Sequence, residues 1–241
     1  MSDMESHLIY HMSFDLFAVA MAIIGGWAVY HWQFKQVLPE TVSKIGTGYF
    51  FFLSFGSIAG AYLFGTLNLY ASGIEGIGRS ILGALFGATC MVEIYKLKRG
   101  AKGSTGYIYV VPFTVVVIIG RMGCFFSGIH DQTHGVETNM PWGWDYGDHV
   151  LRHPVQLYES LSMLVFLLST IIILKFSKNI MIRHGFYLCV GFYAAQRFVW
   201  EFFKPYGDVI VPLNIFQLLC IVIVLYSTLM IARGKHDSHA A

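Results

Sequence analysis

Long apolar stretches alternate along this chain with short polar ones, and the apolar stretches are unusually regular in length. Seven of them come near the roughly 20 residues that a helix needs to cross hydrocarbon: Phe14 to Tyr30, Gly46 to Tyr70, Gly78 to Tyr95, Ile108 to Ser127, Gln156 to Phe176, Gly185 to Phe203 and Val209 to Ala232. The pattern predicts an all-α integral membrane protein with seven transmembrane helices in a single polytopic domain, residues 1–241. The longest connection is a polar loop at about 128–155, rich in Gly, Asp, His and Trp, and long loops of mixed polarity tend to carry function.

The connecting segments differ in charge. Lys35 and Lys44, then Lys96, Lys98, Arg99 and Lys102, then Lys175, Lys178 and Arg183, and finally Arg233 and Lys235 make every second connection basic. The positive-inside rule therefore predicts a cytoplasmic C-terminus and an N-terminus on the outer side of the membrane. The outer segments carry Asp3, Glu5, Glu75, Asp131, Glu137, Asp145 and Asp148, together with the remaining five cations, Arg79, Arg121, Arg152, Arg197 and Lys204. Met1 to Asp15 contain no Lys or Arg, the wrong charge for the start of a cleaved signal peptide, so the first helix is expected to be retained.

Composition agrees, since 56% hydrophobic and 12% charged residues exclude a soluble globule of this length. Cys90, Cys189 and Cys220 lie inside predicted spans, with only Cys124 near an aqueous face, and no disulfide is expected. No basic aromatic surface suggests nucleic acid.

The candidate chemistry lies on the outer side. In the predicted topology the third, fifth and seventh helices direct their N-termini outward, where free N–H groups favour an anion. Gly76-Ile77-Gly78-Arg79-Ser80 leads into the third helix and offers Arg79 and Ser80 as donors, although Arg79 reads equally well as a side chain reaching for lipid headgroups. Arg121, within Gly120-Arg121-Met122-Gly123, is too costly to face lipid and must face the bundle interior, as a functional cation or as the partner of Glu159 or Glu201. Arg152-His153-Pro154-Val155-Gln156-Leu157-Tyr158-Glu159 is the densest polar motif; Pro154 starts a helix, and Gln156 and Glu159 share one of its faces. Arg197 and Glu201 lie one helical turn apart and should pair, holding a guanidinium ready for phosphate. His130, Asp131, His134, Asp145, Asp148 and His149 are metal-ligating types without a tight ligand spacing, so neither metal nor other cofactor is expected. Asp145-Tyr146-Gly147-Asp148 reads as a turn.

Three of these motifs, Gly120 to Gly123, Arg152 to Glu159 and Arg197-Phe198-Val199-Trp200-Glu201-Phe202-Phe203, resemble the bacterial prolipoprotein diacylglyceryl transferases in order and in helix. The resemblance runs at least from the third helix to Gln217. It implies a transferase that moves a diacylglyceryl group from phosphatidylglycerol to the thiol of a lipobox cysteine in a preprolipoprotein. Arg121 and Arg197 match that family's phosphate-handling arginines; His153 and Glu159 would be acid and base, and Arg79, Ser80, Arg152, Gln156, Tyr158 and Glu201 would bind substrate. The chain departs from the family at Leu82, where a histidine is usual, at Cys124, where Asn is usual, and at Ile129, where Glu is usual. The alternatives are a related transferase with another acceptor, or a non-enzymatic protein that binds or translocates an anionic phospholipid. A third possibility makes Cys124 a covalent acceptor, against its reading as a small residue packed at a helix end.

Overall fold

The computed structural model describes residues 3–101, 103–210 and 212–239. Lys102 lies outside them, and the side chains of Asp3, Glu5, Lys44, His130 and Lys235 are likewise outside the description. The architecture is helical, in the order α1 (Asp3–Val29), α2 (Leu38–Ile45), α3 (Gly48–Ala71), α4 (Ile81–Arg99), α5 (Val110–Phe126), β1 (Trp144–Asp145), β2 (Leu151–Arg152), α6 (Val155–Glu201) and α7 (Ile215–His239). Among the described residues, five helical segments are long and apolar enough to cross a membrane: Ile9–Phe34, Gly48–Ala71, Tyr107–Phe126, Val155–Glu201 and Ile215–Gly234.

Several boundaries differ from expectation. The segments predicted at Gln156 to Phe176 and Gly185 to Phe203 belong to one 47-residue helix, whose only non-helical backbone is at Ser177 (φ −151°, ψ 58°). Between Phe176 and His184 there is no Gly or Pro to stop a helix, and the basic side chains there are good helix formers, so the chain stays helical where a loop was expected. The last helix starts at Ile215 rather than Val209, because Ile210 and Leu213 close a tight turn before it. The third predicted span appears as α4, shifted toward its basic end.

Two compact units make up the chain. The first comprises Met1–Gln33, Ile108–Met181 and Phe202–Pro205. Within it α1 and α5 run antiparallel: a Cβ on Gly26 would touch the Pro112 ring at 3.0 Å, and one on Gly123 would touch Phe14 Cβ at 2.6 Å. The 155–176 arm joins them through Ser160, whose hydroxyl donates to the Ile118 carbonyl at 3.0 Å.

The second unit comprises Phe34–Tyr107, Ile182–Glu201 and Tyr206–Ala241. Its spine is an antiparallel pair, α3 against α4, in which Gly56 meets Gly87 and Gly60 meets Gly83, while Gly65 meets Gly78 in the lead-in to α4. Without side chains the two backbones touch, the small-residue packing that apolar surroundings favour because dispersion must replace the missing hydrophobic drive. The 182–201 arm lies antiparallel to α7, with Gly191 against Ser227 and Gly234 against His184.

Gly87→Val would drive a side chain into the carbonyl of Gly56. It is expected to lower stability by about 1–3 kcal/mol, read as thermal unfolding in detergent, whereas Gly120→Ala, with nothing within 4 Å of its Cβ, should change it little.

Candidate functional site

In the first unit the fifth predicted span positions the chemistry. Pro154 precedes α6 and accepts from Leu157 N at 2.9 Å, so the helix starts directly after the Arg152-His153 pair. One turn in, Glu159 is fully buried, and its carboxylate is ion-paired with Arg121 Nε through one oxygen and accepts from Lys204 Nζ on the other, the latter at 2.7 Å. Arg121 is 6% exposed and Lys204 5% exposed, so all three charges are withdrawn from water. Among the three, one positive charge is in excess.

His153 sits at the edge of this unit. Its backbone is tied to the long loop, with Gly135 N donating to its carbonyl and its own N donating to Val136, both at 3.0 Å, and Val136 N in turn donates to Phe203 at 2.7 Å. Its ring packs edge-on to Phe203, and Nδ1 lies 3.2 Å from the Tyr158 hydroxyl, which also accepts from Trp142 Nε1 at 2.8 Å. Gln156 is fully buried and accepts from the Tyr146 hydroxyl at 2.8 Å. Burial raises the Tyr146 phenol above its ordinary value, so at neutral pH it is the donor in that bond. Arg152 forms the rim, paired with Asp148 at 3.0 Å.

The expected turn is present: Asp145 accepts from Gly147 N at 2.8 Å and His149 N at 3.0 Å, and Gly147 takes φ 101°. The Gly147 backbone contact, chief among several, holds the Asp145 carboxyl below the usual range.

A second cluster in the same unit joins the start of α1 to the end of α5. His11 Nε2 lies 3.1 Å from Asp131 Oδ1, and His11 Nδ1 lies 3.1 Å from Asp15 Oδ2. The Cys124 sulfur lies within 4.8 Å of the facing His11 and Asp131 atoms, and Thr133 donates to Asp131 Oδ2. Burial pushes the Asp131 carboxyl up, but its contacts with His11, Thr133 and Cys124 outweigh that and hold it below its ordinary value, helped by the Arg121 charge.

In the second unit Arg197 and Glu201 pair at 2.5 Å, 3% and 2% exposed. Glu201 also accepts from Asn214 Nδ2 at 3.3 Å, and the Arg197 guanidinium stands 5.5 Å from the Phe216 ring centre. Asn214 caps α7 reciprocally with Gln217, each backbone N donating to the other's side chain at 2.9 Å. Ser80 caps α4 by accepting from Gly83 N at 3.2 Å, while the neighbouring Arg79 is exposed.

A family model, prolipoprotein diacylglyceryl transferase, matches residues 12–233. The chain belongs to that family. Among named relatives, the phosphatidylglycerol–prolipoprotein diacylglyceryl transferase of a Wolbachia from Drosophila simulans is 35% identical over 123 residues, covering 47% of this chain and 46% of the relative. That of Campylobacter lari is 33% identical over 132 residues (53% and 45%), and that of Aliarcobacter butzleri 28% identical over 211 residues (77% and 74%). The match thus spans about half the length of the first two relatives. No solved structure matches the chain.

The family resemblance drawn from the three motifs is borne out. Of the residues it singled out, Arg121 and Glu159 come together in the first unit, and Arg197 and Glu201 in the second. Lys204 was recognised as an outer-side cation but not as the second partner of Glu159; lying three residues beyond Glu201, it gave no sign of reaching back to Glu159. His11 and Asp15 were missed, although their spacing of four on a helix was a usable signal.

Glu159→Leu removes the carboxylate that both buried cations share. An expected loss of about 3–5 kcal/mol should appear as a lowered unfolding temperature, with Glu159→Asp intermediate.

Proposed function

We propose that this chain transfers the diacylglyceryl group of phosphatidylglycerol to the thiol of a lipobox cysteine in a preprolipoprotein, as an early step of lipoprotein biosynthesis. The observation that carries this is the buried Arg121–Glu159–Lys204 cluster in a chain of this family. The relatives' printed names supply the substrates. In the reaction a carbon–sulfur bond forms, the glycerol carbon–oxygen bond to phosphate breaks, and glycerol phosphate leaves. Negative charge develops on the departing phosphate, and cations already fixed in a dry site stabilise it with little reorganisation. Arg121 and Arg197 are the groups assigned to that task, each held by its own carboxylate, Glu159 and Glu201. Glu159, occupied by two cations, is assigned to positioning them rather than to moving a proton. His153 is assigned as the proton-transfer group, oriented by Tyr158. In the first unit Arg152, on the loop rim, would attract the anionic headgroup, with Gln156 and Tyr158 near it in sequence; in the second, Arg79, exposed ahead of α4, and Ser80 are assigned as substrate-binding residues.

In the membrane we assign seven passes by counting the two arms of α6 separately about Ser177 and by including α4. The acidic residue of α4 supports its inclusion, since Glu93 is met by Lys96 and by the Tyr226 hydroxyl, both at 2.8 Å. The charge alternation puts the N-terminus outside the inner membrane and the C-terminus in the cytoplasm. In a cysteine-free background, Asp148→Cys should react with an impermeant thiol reagent in intact cells, and Lys98→Cys only after permeabilisation; the reverse would invert the topology.

A second reading, a phospholipid-binding protein without transfer activity, is favoured by Leu82, 1% exposed where the family carries histidine. Purified protein with phosphatidylglycerol and a lipobox peptide separates the two readings. Transfer predicts a diacylglyceryl adduct by mass spectrometry, reduced about 100-fold or more in Arg121→Ala and strongly reduced in His153→Ala. Lipid binding that is lost in Arg121→Ala and kept in His153→Ala, with no adduct beside an active family enzyme, supports the second reading.

A further inference from the structure

The His11, Cys124 and Asp131 cluster has a chemistry that neither the buried cations nor the family assignment requires. Its donor atoms, one imidazole nitrogen, one thiol sulfur and one carboxylate oxygen, all lie within 4.8 Å of one another. Zinc bonds of roughly 2.0–2.3 Å in a tetrahedron set neighbouring donors about 3.3–3.8 Å apart, so a small inward movement of the sulfur would complete the set. His11 Nε2 and Asp131 Oδ1, at 3.1 Å, need only part slightly around an ion.

The surroundings are those of a built site. Asp15 contacts His11 Nδ1 and Thr133 contacts Asp131 Oδ2, so the facing pair Nε2 and Oδ1 are the atoms that an ion would part and bind. Carboxylate contact with the far nitrogen of a ligating histidine fixes its tautomer and raises its basicity. Gly123 lets Phe14 close on α5, and Phe14 stacks on Phe126 with centroids 5.4 Å apart, which brings His11 beside Cys124. A thiolate and a carboxylate together neutralise a divalent ion, and the mixed nitrogen, sulfur and oxygen set suits a borderline cation of the zinc class better than a hard one. His11 and Cys124 are half-buried and Asp131 lies deeper, with 9% of its side chain exposed, so an ion would enter from the His11 and Cys124 side.

We propose that His11, Cys124 and Asp131 bind a zinc-class divalent cation and leave its fourth coordination position open for an external thiol. The thiol part rests on the transfer reaction proposed above: a metal-bound thiol is deprotonated, and Cys124 lies one helical turn from Arg121 on α5, so an acceptor sulfur held there would be a thiolate beside the phosphate-handling cation. Ion binding releases to solvent the Cys124 proton and the proton that His11 Nε2 donates toward Asp131, and entry of the acceptor releases that thiol's proton likewise; the metal does not change oxidation state.

The test uses the full-length protein in detergent micelles, without a histidine tag, titrated with cobalt(II) chloride. The expected result is one equivalent bound with tetrahedral visible bands and a near-ultraviolet thiolate-to-cobalt charge-transfer band, both abolished by zinc. Cys124→Ser should lose the charge-transfer band, and Asp15→Asn should weaken cobalt affinity about 10–100-fold. A short lipobox-type peptide should increase the charge-transfer intensity, and its serine analogue should not. Absence of the band from the wild-type protein, which needs no variant to fold, overturns the site, as does its persistence in Cys124→Ser. A band that ignores the cysteine peptide overturns the open position. Cobalt binding requires neither lipid nor turnover, so an intact spectrum without a diacylglyceryl adduct would count against transfer and leave the metal site standing.

Discussion

Burying a carboxylate between two cations is the constraint on which the first unit depends. Each of Arg121, Glu159 and Lys204 would cost several kcal/mol to take from water alone, and only mutual contact offsets this. The requirement fixes three separated stretches of chain at once. Helix α5 must turn the Arg121 face inward, the 155–176 arm must present Glu159 to it, and the short segment 202–205 must fold back to deliver Lys204. The Phe203 carbonyl, accepting from Val136, then ties the long loop to that segment and carries His153 with it. A positive centre assembled in this way is oriented by the fold itself, which is the condition under which electrostatic stabilisation of an anion is most effective.

The second unit solves the same problem with local means. Arg197 and Glu201 are one turn apart on a single helix, so their pairing needs no long-range closure. What immobilises the pair comes from α7, where Asn214 divides its side chain between capping the helix and donating to Glu201. Helix start and cation support are thus one piece of structure, and Phe216 adds an aromatic face to the guanidinium.

The apolar runs made the helices legible, and the polar motifs at their ends identified Arg197 and Glu201 as a pair by their spacing, while the depth of Arg121 left Glu159 and Glu201 as its alternative partners, of which the fold takes Glu159. Less was legible where the physics is non-local or the signal ambiguous. Basic residues in 175–183 mark a loop by charge yet favour helix by propensity, and propensity prevailed except at Ser177. The two short strands β1 and β2 carry too few residues for an alternation to show. Lys204 and His11 meet partners 45 and 120 residues away, at Glu159 and Asp131, a pairing only the folded chain reveals. The glycines at 56, 60, 83 and 87 repeat at intervals of four and were visible, but their mutual registration was not.

That registration has a further consequence for how the second unit can vary. Because Gly56, Gly60 and Gly65 meet Gly87, Gly83 and Gly78 backbone to backbone, the two stretches fit in one alignment, as toothed racks do. A residue inserted between Gly78 and Gly87 would rotate the teeth out of phase by about 100°, whereas one inserted at 73–76 would only lengthen the bend. Added length is therefore accommodated in the bend, while the stretch from Gly78 through the capped start of α4 is held to one register.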